Sequence, residues 1–179
     1  MKRAVSLLLV LTLCVTILPA CAADVFPFTM DTFRFVLDQY CAALYGKMPG
    51  WIIAKDGLSA QVPINDKCEV QISLDDSGLV SRVEAVCTSP YMTFADSASY
   101  GYEVGQLTAS VLAIVKELLD PDWLLDDAAV AQLTELLRIP DSDTSLSTVI
   151  AGLPCMLTTQ FTTDPGGVLT ITTSFVLLP

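Results

Sequence analysis

The stretch CEVQISLDDSGLVSRVEAVC, residues 68–87, decides how the chain is read. Cys68, Val70, Ile72 and Leu74 alternate with Glu69, Gln71 and Ser73, the two-residue period of a strand with one buried face. Asp75-Asp76-Ser77-Gly78 is a run of turn formers ending in a glycine suited to a left-handed backbone, and Leu79 to Cys87 resumes a strand. A four-residue loop sets Leu74 opposite Leu79, Ile72 opposite Ser81 and Val70 opposite Val83. That register gathers the first row on one face with Leu79, Val83, Ala85 and Cys87. A loop one residue longer or shorter sets the row against Val80, Arg82 and Glu84 instead, so the apolar match selects the four-residue loop. Cys68 then faces Ala85 and is only a diagonal neighbour of Cys87. Because a disulfide tolerates a narrow Cα separation, bonds from this hairpin to Cys41 and Cys155 are the more natural expectation, with all three pairings open.

Upstream, Thr29 caps a helix whose Phe33, Val36, Leu37, Tyr40, Cys41 and Leu44 form one apolar stripe, stopped at Gly46. Trp51 to Ala54 turns at Lys55-Asp56-Gly57 into Leu58 to Val62, a hairpin signal, and Pro63 suits the strand end. Downstream, residues 88–103 have an odd composition, with Tyr91, Phe94, Tyr100 and Tyr102 set among Ser, Ala and Gly. Such a segment either grips a partner or sugar with amphipathic rings, or crosses from strand to helix with its rings in the core. The core reading is favoured, and the four aromatics remain the candidate binding residues.

Val104, Leu107, Val111, Val115 and Leu118 then mark a helix ending before Asp120-Pro121. Asp126 caps another, with Ala129, Val130, Leu133, Leu136 and Leu137 as its buried side and Trp123 to Leu125 placed for a hydrophobic staple. A polar loop at Asp141 to Ser145 leads into strands Cys155 to Thr163 and Val168 to Leu177. Pro165 and Gly167 in the turn between them set Thr163 opposite Leu169 and Phe161 opposite Ile171. The expected fold is a two-layer α+β domain, antiparallel sheet on helices, in the order α-ββββ-αα-ββ.

The N-terminus supplies the context. Met1-Lys2-Arg3 is basic, Ala4 to Leu18 has no charge, and Pro19 precedes the small run Ala20-Cys21-Ala22-Ala23. These are the three parts of a secretory signal, and an apolar run of about 15 residues at ~1.5 Å each is too short for a ~30 Å bilayer core. Ala20-Cys21-Ala22 fits ordinary signal cleavage. Leu18-Pro19-Ala20-Cys21 also resembles the lipobox of bacterial lipoproteins, in which the cysteine is lipidated; Pro19 departs from that pattern. The reading divides the chain into an export signal at 1–22 and one domain at 23–179, either released or lipid-anchored through Cys21.

Export colours the composition. Residues 1–22 hold two of the nine basic residues and none of the twenty acidic ones, so the remainder is strongly acidic. Such a surface repels phosphate backbones, and no nucleic-acid partner is expected. Cys41, Cys68, Cys87 and Cys155 remain, an even number in an oxidising compartment and without C-x-x-C spacing. Two structural disulfides are therefore expected over four buried thiols.

The chain contains no histidine. Ser-His-Asp and Cys-His catalysis and imidazole-ligated zinc are thereby excluded. Asp75/Asp76, Asp120/Asp122, Asp126/Asp127 and Asp141/Asp143 are paired carboxylates, each at a turn, helix boundary, cap or loop with local work to do. No catalytic or metal-ligating residue, and no cofactor, is assigned. The leading functional reading is a non-enzymatic envelope or secreted binding protein that engages a protein or glycan through the tyrosine segment or a sheet edge. A small carboxylate-dependent hydrolase acting on glycans is the alternative, and a structural subunit of an envelope assembly a third.

Overall fold

The computed structural model describes residues 24–90, 94–124, 126–137, 142–163 and 165–179, without the side chains of 94–97. Residues 1–23 with Cys21, Tyr91, the Phe94 side chain and Asp141 lie outside the described residues.

Helix α1 spans Met30–Tyr45. The Thr29 hydroxyl accepts the Thr32 N–H at 3.3 Å, satisfying one of the orphan donors at the helix start. Gly46 ends the helix at φ 69°, and its N–H donates to the Ala42 carbonyl. Phe33, Leu37 and Cys41 are buried as the stripe requires, while Leu44 in the last turn is exposed.

Strands β1 (Ile52–Ile53), β2 (Ser59–Pro63), β3 (Cys68–Leu74) and β4 (Val80–Pro90) form a meander. Helices α2 (Phe94–Leu119) and α3 (Asp127–Leu136) follow, then β5 (Thr144–Ile150), β6 (Leu153–Thr163) and β7 (Leu169–Leu177). One antiparallel sheet results, in the order β1-β2-β3-β4-β7-β6-β5. The α+β architecture is as expected, with one additional C-terminal strand. Ala151 and Gly152 join β5 to β6 at φ 51° and 80°. Two left-handed residues are what a tight hairpin turn needs, but Ala does not announce that turn in a sequence, so β5 reads there as loop.

The β3–β4 register differs from the expected one by two residues. Asp75 N–H donates to the Leu79 carbonyl, so the loop is one residue longer, and Leu74 pairs with Val80. A bulge then adds a second step, after which Ile72 faces Val83, Val70 faces Ala85 and Cys68 faces Cys87. Two one-residue shifts restore the facing, which is why the apolar row stays buried although every partner changed. The loop is held by Asp75, whose carboxylate accepts the N–H groups of Ser77 at 3.0 Å and Leu79 at 2.9 Å. The Ser77 hydroxyl leads the set of hydrogen bonds that hold the Asp75 carboxyl below its ordinary 3.8.

Alternation puts one row of side chains across six strands: Val62, Val70, Ala85, Phe175, Leu157 and Leu146. The row is buried under the helices as far as Leu157 and surfaces at Leu146, which is 52% exposed. Val104, Leu107, Val111, Leu112, Ile114 and Val115 of α2 supply the opposing layer. Ahead of α1, Phe26 N–H donates to the Val80 carbonyl at 2.7 Å and Val80 N–H to the Phe28 carbonyl at 3.0 Å. This pins the chain to the start of β4 and stacks Phe26, Phe28 and Phe33. Among the described residues, no helix is long and apolar enough to cross a membrane.

Candidate functional site

Tyr100 and Tyr102, the two candidate aromatics whose side chains are described, do not share one patch, because both lie in α2 and point to different sides of it. Tyr100 is 1% exposed and donates its hydroxyl to the Cys87 carbonyl oxygen at 2.8 Å. Burial pushes that hydroxyl above its ordinary 10.0, against hydrogen bonding from Thr173. Tyr100 is thus a core residue. Tyr102, about 200° further round the helix, is 70% exposed. The pattern was present in the sequence: Tyr100, Val104, Leu107 and Val111 recur at i, i+4, i+7 and i+11, which extends the α2 stripe one turn upstream of its expected start.

Tyr102 stands at the rim of an apolar groove of about 390 Å³ between α2 and α3. Gly105, Gln106 and Ala109 of α2 face Val130, Leu133, Thr134 and Leu137 across it. Asp126 sets the second wall by capping α3, its carboxylate accepting the Ala129 N–H at 2.7 Å. The Thr134 hydroxyl donates to the Val130 carbonyl at 2.8 Å, so that wall presents carbon to the groove. A Cβ at Gly105 would meet only Leu137 Cδ1, at 3.8 Å, an ordinary contact. Packing therefore does not require glycine there, although glycine inside a helix costs about 1 kcal/mol relative to alanine. Its effect is to keep the groove floor open. Val130, expected on the buried side of α3, is 45% exposed on the wall.

A second groove, of about 340 Å³, runs between α3 and β5, lined by Gln132, Glu135, Leu136, Leu146, Thr148 and Ile150. Sequence reasoning missed it because it missed β5.

The cysteines divide unequally. Cys68 and Cys87 are bonded, with Cα atoms 4.2 Å apart. The expected bonds from the hairpin to Cys41 and Cys155 are not formed; both are buried free thiols. The correction follows from the register, since the shift brings Cys68 directly opposite Cys87 in a pair whose neighbours carry the hydrogen bonds, Thr88 N–H donating to the Lys67 carbonyl. Side chains approach closest at such positions. Burial, then the nearby Asp38, pushes the Cys41 thiol up to about 11, and burial raises Cys155 as well.

One acid of each paired set holds backbone N–H groups. Asp75 holds its turn, Asp126 its cap, Asp120 accepts the Asp122 N–H at 3.3 Å, and Asp143 accepts the Phe161 N–H at 2.8 Å. Among the described residues no group of three or more acids or thiols is placed to hold a metal ion. No protein-family model matches the chain, and no curated protein or solved structure matches it.

Proposed function

We propose that the chain is an exported, non-enzymatic binding protein that holds an apolar side chain or sugar face of a partner in the α2–α3 groove beside Tyr102. The groove itself is the observation that carries this reading. Its volume is in the range of ligand sites, its walls are apolar, and an exposed aromatic ring stands at its rim. A disulfide on a strand pair is compatible with an oxidising compartment, in keeping with the leader at 1–22. Release or anchoring through Cys21 decides only where the groove is displayed.

The test uses N-phenyl-1-naphthylamine, an uncharged apolar fluorophore that the acidic surface does not repel. Its emission is expected to rise and shift to the blue with the native protein, and to lose most of that response in Gly105→Met, whose side chain fills the floor. An equal response from native and filled proteins overturns the reading.

A further inference from the structure

The open edge of the sheet at β5 carries a second inference, independent of the groove at Tyr102. We propose that β5 takes an extended, cationic segment of another polypeptide as an eighth strand, with alternate side chains seated in the α3–β5 groove.

Among the described residues, β5 pairs with β6 alone and forms the end of the sheet. Ile150 and Leu153 close a two-residue turn, so they form a hydrogen-bonded pair, and such pairs alternate along the ladder. The N–H and C=O groups of Ser145, Ser147 and Val149 therefore point away from β6. Pro154 agrees with this phase, since it has no N–H and sits opposite Val149.

Edges of this kind are usually blunted by charge, proline, a bulge or brevity. The opposite edge obeys that rule, β1 being two residues long. β5 has seven residues, no charge, no proline and no register shift against β6. Leu146 and Val149, on opposite faces, are 52% and 57% exposed. A strand added about 4.8 Å outside β5 extends the row that surfaces at Leu146 and lays every second side chain over the groove.

Charge selects the occupant. From Glu117 to Pro179 the chain has nine acidic residues and one basic residue, Arg138. Glu135 lines the groove and Asp143 immediately precedes β5. A second copy would bring the same acidic charge to the edge, whereas a strand with lysine or arginine flanking a β-branched core is attracted to it.

The probe is the peptide acetyl-Lys-Val-Thr-Val-Thr-Val-Lys-amide carrying a fluorophore, titrated with the folded protein at low salt and followed by anisotropy. Saturable binding is expected, weakened about tenfold or more by Ser147→Pro, which removes an outward N–H while sparing the β6 ladder. Tyr102→Ala, on the other groove, is expected to leave it unchanged. Amide hydrogen exchange on the native protein gives a reading that needs no variant. Peptide should slow exchange at Ser145, Ser147 and Val149 and leave the already bonded Leu146 and Thr148 unaltered. No binding, equal binding to Ser147→Pro, protection elsewhere, equal binding of the peptide with Asp in place of Lys, or a dimer that forms through β5 at the same concentrations would each overturn the proposal.

Discussion

The Tyr100 hydroxyl donates to the Cys87 carbonyl oxygen at 2.8 Å, tying the first turns of α2 to the strand that carries the disulfide. Cys87 is bonded on one side to Cys68 and faces Thr173 on the other, and Thr173 in turn faces Thr159. A line of polar and sulfur contacts thus crosses the sheet beneath α2. The Tyr100 hydroxyl joins α2 to that line at Cys87.

Removing that hydroxyl leaves ring packing intact. Tyr100→Phe is expected to lower unfolding free energy by about 0.5–1.5 kcal/mol, the net contribution of one buried hydrogen bond, since the Cys87 carbonyl keeps its place in the β4–β7 ladder opposite Thr173. Urea denaturation checks this; an unchanged midpoint contradicts the role given to the hydroxyl.

The Cys68–Cys87 bond closes a loop with a sequence separation of 19. Replacing both cysteines by alanine is expected to cost roughly 2–4 kcal/mol, mostly by freeing the unfolded chain. The same denaturation experiment, on the native and doubly substituted proteins, measures it.

The β5–β6 turn offers a gain. Ala151 sits at φ 51°, a conformation in which its Cβ crowds the backbone. Ala151→Gly is expected to raise stability by about 1 kcal/mol, seen as a higher thermal midpoint. A fall would show that the methyl group makes contacts that outweigh the strain.

Alkaline pH probes the buried thiol. The folded Cys41 thiol ionises near 11, above its ordinary 9.0, so the unfolded chain loses its proton first as pH rises. The stabilising contribution is complete below pH 9 and disappears as pH climbs through about 11. Native protein should therefore lose more stability across that interval than Cys41→Val, measured as the shift in urea midpoint. Parallel profiles for the two proteins contradict it.

How much of this was legible in the sequence depends on which interactions fix each element. Local signals were sufficient for α1, where Thr29 and Gly46 act as caps, and for the β6–β7 pairing, where Thr163 meets Leu169 and Phe161 meets Ile171 as the turn chemistry requires. Signals failed where a non-local fit decided the outcome. The bulge beside Leu74 is invisible in composition, yet it determines that Cys68 meets Cys87. Tyr100 and Tyr102, by contrast, were separable locally, since Tyr100 continues the Val104, Leu107 and Val111 stripe one turn upstream and Tyr102 does not.

Intact-mass analysis of the product recovered outside the cell, alkylated with and without reductant, tests the account most directly. A chain that has lost its first 22 residues is expected, or one that has lost its first 20 and begins at a lipidated Cys21. Its Cys41 and Cys155 should be alkylated only after unfolding, and Cys68 and Cys87 only after reduction. Recovery of the native product with Met1 attached would contradict export, and alkylation of all four cysteines before reduction would contradict the Cys68–Cys87 bond.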